Sequence, residues 1–163
     1  MERSTELATR IFDLATNAGG ATISAAESCS GGGIASAITA ISGSSAYFLG
    51  SIVAYANEAK RDVLGVPDSI LESRGAVSPE CAVAMAEGSR ARFGSDIAVS
   101  TTGIAGPTGA TGRKPVGLVY LAQATADGTH VEEHHFPGDR AAVTQAAVIR
   151  GLELIVDALE KRS

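Results

Sequence analysis

Apolar residues recur at helical spacing from the start of the chain, at Leu7, Ile11, Leu14 and Ala18 behind Ser4 as N-cap, and predict a first helix that Asn17, Gly19 and Gly20 end. Ala21 to Ala26 has strand character, ESCSGGG breaks the run, and IASAITAI resumes it with small and β-branched residues suited to close helix packing. Strand, glycine-rich turn, helix is the simplest organisation of this stretch. Beyond the SGSS loop at Ser42 to Ser45, Ser51 to Tyr55 reads as a second strand, and Asn57 as the cap of a short helix stopping at Gly65 before Pro67. A further short helix is expected over Asp68 to Ser73. The sharpest start signal is Ser78 at N-cap with Pro79 and Glu80 behind it, and Gly94 marks the stop. Asp96 to Thr101 is a third strand. After the loop GIAGPTGATGRKP, Val116 to Thr125 and Thr129 to Phe136 form a hairpin turning through Ala126, Asp127 and Gly128. A last helix starts near Asp139 and buries Val143, Ala147, Leu152, Ile155 and Leu159.

Early strands alternating with helices, followed by a hairpin, imply a single-domain three-layer α/β/α sandwich around a mixed, mostly parallel sheet of about five strands. A chain of 163 residues is the right length for one such core and too short for two ordinary domains. With 45% apolar residues, only 4% aromatics and no Trp, that core must be assembled from Ala, Val, Ile and Leu. Ligands in sheets of this kind collect beyond the carboxyl ends of the strands. Three polar or glycine-rich segments, ESCSGGG, YANEAK and TTGIAGP, follow strands.

Charge narrows the partners. A net charge of -5 without an extended Lys/Arg run leaves no basic face for a phosphate backbone, so nucleic acid is not an expected partner. Apolar stretches are interrupted well before the roughly 18 residues of a membrane span. The two cysteines form no CxxC and the first residues are not a secretory leader, which points to a reducing cytoplasm.

Ser28, Cys29 and Ser30 stand immediately before three glycines and a helix start, where outward amides favour negative charge. Two readings of this turn are open on the letters alone. Either it presents a nucleophile beside its own oxyanion donors, or Ser30 caps the helix and the glycines allow tight packing. It is neither a P-loop nor a dinucleotide fingerprint. Lys60 falls in the first turn of the helix after Tyr55, where the helix dipole disfavours its charged form and burial would lower its pKa further. Such a lysine is a general base; an exposed one is merely a surface charge. His130, His134 and His135 share a late strand and read as surface residues, while the adjacent Glu132 and Glu133 point to opposite faces and cannot pair as acid and base. Arg140, beside Asp139 at the last helix start, suits a phosphate or carboxylate, or an ion pair with a nearby acid.

Seven ordered motifs, AESCSGGG (26–33), GSSAYF (43–48), YANEAK (55–60), GAVS (75–78), TGIAGP (102–107), KPVG (114–117) and FPGDR (136–140), resemble the CinA C-terminal family over nearly the whole chain. That family includes nicotinamide mononucleotide deamidases, which release ammonia from the nucleotide's carboxamide, so the resemblance implies an amidohydrolase of pyridine nucleotide recycling. It further implies Ser28 as nucleophile, Lys60 as its base and Tyr55 as an aid to proton transfer. Gly31 and Gly32 would bring backbone to the reacting carbonyl, and Cys29, Ser30 and Asn57 would adjoin the substrate. Thr102, Gly103, Ile104, Ala105 and Gly106 would line the pyridine nucleotide, with Arg140 on its phosphate. Family members often carry Thr at the position of Ser30, and the hydroxyl is kept here. Many are fused to an upstream domain, whereas this chain opens at the C-terminal module, which favours a stand-alone enzyme.

Such a mechanism needs no cofactor and no metal, since nucleophile, base and oxyanion donors suffice for an amide. The expected partners are a small pyridine mononucleotide and a second copy of the chain in a homodimer. Two alternatives accompany this reading: Cys29 as the nucleophile, and a catalytically silent nucleotide-binding or competence/damage-associated module.

Overall fold

The computed structural model describes residues 2–17 and 19–162. The first helix, α1 (Glu2–Asn17), leads into β1 (Ile23–Glu27), α2 (Gly33–Thr39), a 3-10 turn at Ser44–Ala46 and β2 (Phe48–Val53). There follow α3 (Asn57–Leu64), α4 (Asp68–Ser73), α5 (Pro79–Phe93) and β3 (Ile97–Gly103). The hairpin β4 (Leu118–Thr125) and β5 (Gly128–His135) precedes the long α6 (Arg140–Arg162).

The five strands lie in the order β2-β1-β3-β4-β5. β1 is parallel to both β2 and β3, and the hairpin adds two antiparallel pairings, so four strands run one way and β4 opposes them. The expected three layers are present. Helices α1, α2 and α6 cover one face over a core of Ile11, Ile23, Ile34, Ile97, Leu121, Leu152 and Ile155. On the other face α5 crosses the sheet and carries α3 and α4 behind it.

The α5 face is packed differently because its residues are smaller. Ala82 and Ala86 meet Ala122 and Ala124. Buried hydroxyls fasten the layers where apolar bulk is lacking: Ser24 Oγ lies 2.8 Å from Ser89 Oγ and 2.7 Å from Ser95 Oγ, and Ser100 Oγ donates to the Ala82 carbonyl at 2.6 Å. Each of these serine hydroxyls thereby has a partner, which such burial requires.

The ends of α5 are those the letters predict. Ser78 Oγ accepts from the Cys81 amide, Pro79 is the first helical residue, and Gly94 ends the helix in the left-handed region at φ 64°. Three expectations are corrected. Ser4 lies inside α1, which begins at Glu2, and Ala18, expected on its stripe, falls outside the described residues. The second strand runs from Phe48 to Val53 rather than from Ser51 to Tyr55, because its pairing with β1 ends where Val53 meets Glu27. Tyr55 is consequently beyond the sheet. Asn57 does not cap α3: Ala56 takes the extended cap position at φ -81°, ψ 153°, and Asn57 is already helical.

Gly88 marks the closest approach of α5 to α3, since an added Cβ there would overlap the Leu64 carbonyl oxygen. Gly88→Ala is therefore expected to destabilise the protein by about 2–3 kcal/mol, the scale of forced overpacking, measured as a lowered midpoint in urea unfolding at unchanged slope.

Candidate active site

The register of the three parallel strands brings their carboxyl ends level. Glu27 pairs with Val53 on one side and with Thr101 on the other, so the loops after β1, β2 and β3 open at one place. A recess of about 180 Å³ lies there, lined by Ser28, Cys29, Tyr55, Asn57, Lys60, Ala76, Val77, Thr102, Gly103 and Ala105.

Ser28 follows the last residue of β1, and its amide donates to the Thr101 carbonyl at 3.0 Å. The turn behind it tightens through Gly31 N to Ser28 O, 3.1 Å, and Gly33 N to Ser30 O, 2.9 Å. Gly31 and Gly32 both take positive φ, at 58° and 94°, which a residue with a Cβ adopts only at a cost. Among the described residues, the amides of Ser30 and Gly32 carry no internal partner, whereas that of Gly31 is spent on the turn.

Ser30 does not cap α2. Its hydroxyl donates to Glu27 Oε1 at 2.8 Å and meets Thr101 Oγ1 at 2.7 Å. The helix start is held by Glu27 instead, whose carboxylate accepts from the amides of Ile34 at 2.8 Å and Ala35 at 3.2 Å. Nothing in a linear reading of ESCSGGG distinguished this glutamate, because its partners at Ser51 and in α2 are brought to it by the fold.

Lys60 is only 2% exposed, which decides between its two readings against a surface charge. Its Nζ donates to the Tyr55 carbonyl at 3.0 Å. Burial lowers the pKa of the ammonium, and the neighbouring sulfurs of Cys81 and Cys29 pull it only partly back. Among the described residues no side-chain hydrogen bond joins Ser28 to Lys60; both line the recess.

Burial acts oppositely on the thiols. Cys29 is pushed up to about 11, chiefly by desolvation, against smaller lowering contributions from a hydrogen bond with Thr101 and the charge of Lys60. Cys81 is raised to about 11 for the same principal reason.

Tyr55 is 62% exposed and stands at the mouth, where its hydroxyl accepts from an Arg140 Nη at 2.9 Å. The other Arg140 Nη donates to the Gly106 carbonyl, also at 2.9 Å. Arg140 therefore spans the recess and a neighbouring cavity of about 950 Å³, which shares Ala105 and includes Pro107, Val116, Gly138, Thr144 and Gln145. Both its partners are neutral, so the ion-pair reading of this arginine does not hold among the described residues. Asp139 caps α6 by accepting from the Ala142 amide at 3.0 Å.

Of the residues singled out in the sequence, Ser28, Cys29, Tyr55, Asn57, Lys60, Thr102, Gly103 and Ala105 line the recess together. Ser30, Gly31, Gly32, Ile104 and Gly106 are outside its wall. Thr102 has its hydroxyl committed to the Ala76 carbonyl at 2.6 Å. Ala76 and Val77 complete the wall without having been assigned, although the GAVS motif that contains them was the available signal. The three histidines are far from this chemistry, on β5, where His130 and His134 meet Glu132 and His135 meets Glu133. A larger apolar groove of about 720 Å³, between α5 and the α3–α4 segment, presents no nucleophile.

The class so defined is a three-layer α/β/α protein with a polar recess at the carboxyl ends of its parallel strands. The chain belongs to the CinA C-terminal domain family, whose model matches residues 4–159. It is 56% identical over 124 residues to a CinA-like protein of Geotalea daltonii, covering 76% of this chain and 30% of that one. It is 49% identical over 144 residues to a putative competence-damage inducible protein of Desulforudis audaxviator, covering 88% and 35%. The chain thus spans about a third of the length of these relatives. Among solved structures, competence/damage inducible protein CihA of Agrobacterium tumefaciens superposes with a TM-score of 0.91 at 43% identity, covering 97% of this chain and 96% of that one. The competence damage-inducible protein A of Klebsiella pneumoniae gives 0.92 at 33% identity, covering 96% and 97%.

The raised thiol pKa values carry a direct consequence. At pH 8 the native cysteines are expected to react with iodoacetamide at least about a hundredfold more slowly than in urea, given an ordinary thiol pKa of about 8.5. Intact mass against time measures this, and rapid native labelling at Cys29 would contradict its desolvation.

Proposed function

We propose that the protein is an amidohydrolase that converts nicotinamide mononucleotide to nicotinic acid mononucleotide and ammonia, with Ser28 as nucleophile and Lys60 as base. The observation that carries this reading is a buried lysine, its charged form disfavoured, on the wall of the recess that Ser28 also lines. A neutral amine that donates one N–H to the Tyr55 carbonyl keeps its lone pair for the serine proton.

Ser28 Oγ attacks the carboxamide carbon as its proton passes to Lys60 Nζ. The oxyanion is received by backbone N–H groups of the turn that Ser28 opens, where Cys29 lines the recess. Collapse of the tetrahedral intermediate breaks the C–N bond, and the Lys60 ammonium returns the proton to the departing nitrogen, which leaves as ammonia. Lys60 then deprotonates a water that attacks the acyl-enzyme ester, and Ser28 recovers its proton. Burial holds Cys29 as a thiol, which takes away the preformed thiolate on which a cysteine's advantage over a serine rests.

The small recess suits the carboxamide end of the substrate, and the larger cavity beside Arg140 suits its ribose phosphate. Arg140 and the N-terminus of the 23-residue helix α6 supply positive potential there. A homodimer belongs to the same proposal; exposed Leu49 and Val53 on the open edge of β2 support it. Among the described residues no helix is long and apolar enough to cross a membrane.

Ammonia release from nicotinamide mononucleotide by wild type is the first measurement. Ser28→Ala and Lys60→Ala are each expected to lower kcat by about 1,000-fold or more, while Cys29→Ala keeps turnover and changes chiefly KM. The reverse order would identify a thiol mechanism, and a wild type that binds the nucleotide without releasing ammonia would identify a silent module.

The pH dependence has a definite sign. Lys60 must be neutral to act and burial lowers its pKa, so kcat/KM should rise with pH along a limb whose midpoint lies below the ordinary lysine value of about 10.4. Lys60→Arg, which stays protonated, should abolish activity across the whole range.

A further inference from the structure

Glu27 ends the strand that delivers Ser28, and it is fully buried. Its carboxylate is saturated: Oε1 accepts from Ser30 Oγ and Ile34 N, both at 2.8 Å, and Oε2 accepts from Ser51 Oγ at 2.8 Å and Ala35 N at 3.2 Å. Two bonds to each oxygen fill the acceptor capacity of the group. They come from β2, from the turn and from α2, so one side chain fixes three segments around the nucleophile.

The direction of these bonds has a further effect. Ser30 has a single hydroxyl proton and gives it to Glu27, so the 2.7 Å contact between Ser30 Oγ and Thr101 Oγ1 requires Thr101 to donate. With its own proton so committed, Thr101 Oγ1 faces the Ser28 amide as a second acceptor at 3.3 Å, beside the Thr101 carbonyl that takes the shorter bond at 3.0 Å. A one-way chain results, from Ser28 N–H to Thr101, to Ser30, to Glu27. Because Glu27 also occupies the Ile34 and Ala35 amides, the start of α2 has no free donors there to compete for an incoming oxyanion.

We propose that Glu27 is a positioning residue for the Ser28 nucleophile, orienting the Ser28 amide and the oxyanion turn through the Ser30–Thr101 hydroxyl chain. This rests on the serine amidohydrolase reading above. Glu27 touches neither the recess nor Lys60, so it acts on where the nucleophile stands rather than on its protonation.

Glu27→Gln preserves shape but turns one acceptor oxygen into a donor that must confront a backbone N–H, of either Ile34 or Ala35. The expected result is a kcat lowered between about 10- and 100-fold, the scale of a misplaced catalytic group, with KM changed less than about threefold. The acid limb of the pH profile should keep its midpoint, because Lys60 is untouched. Thr101→Val, which removes the middle of the chain without touching the carboxylate, should reproduce the loss, and Thr101→Ser, which keeps the hydroxyl, should restore it.

A second readout needs no substrate: the rate at which phenylmethylsulfonyl fluoride sulfonylates Ser28, followed by intact mass. It should fall in parallel in Glu27→Gln and Thr101→Val. If wild type releases no ammonia, the amidohydrolase reading fails and the sulfonylation rates still test the positioning. Sulfonylation at the wild-type rate in a folded Glu27→Gln, or in Thr101→Val should the former not fold, would overturn the inference.

Discussion

A carboxylate taken wholly out of water must be solvated by protein, and the surroundings of Glu27 are arranged around that requirement. Four donors converge on it from three elements, and each is fixed in place by doing so. The second buried charge of the site is treated oppositely. Lys60 has one carbonyl to bond, and its charged form is left poorly supported. Glu27 has its acceptor sites filled, whereas Lys60 has a charged form that burial disfavours. That asymmetry sets a carboxylate held by its surroundings against the lysine on which the proposed reaction draws.

The sheet makes the asymmetry possible. The short β1 runs between two parallel neighbours and is buried along its whole length, so the chain leaving it must turn in a confined space. Glycines with positive φ make that turn, and level strand ends bring the start of α3, with Lys60, and the end of β3, with Thr102, to the same recess. Small residues on α5 then let the second helical layer approach closely enough to cover Lys60 from behind, where Cys81 and Leu64 lie in one apolar cluster.

The layers, the element order and the ends of α5 were legible in the chain because periodicity, Pro79 and Gly94 are local signals. Ser28, Lys60 and Arg140 were legible as candidates from their places at strand ends and helix starts. The end of β2 was not, since it is set by pairing with β1 rather than by the apolar letters around Ile52 to Tyr55. Ser30 and Asn57 misled for a shared reason: a capping residue type before a helix is only a statistical signal, and here Glu27 reached the start of α2 from a neighbouring strand. The role of that glutamate depends on Ser51, Ile34 and Thr101, which no spacing rule connects to it.

The hairpin of β4 and β5 closes one side of the sheet, yet neither strand lines the recess or the cavity beside Arg140. Its outer strand carries Glu132, Glu133 and three histidines joined by short-range hydrogen bonds, with Glu132 also paired to Arg150 of α6 at 2.7 Å. Chemistry and periphery are thereby uncoupled within one small fold. The far edge is free to drift in sequence, to change its charge or to acquire a binding surface while the recess stays as it is.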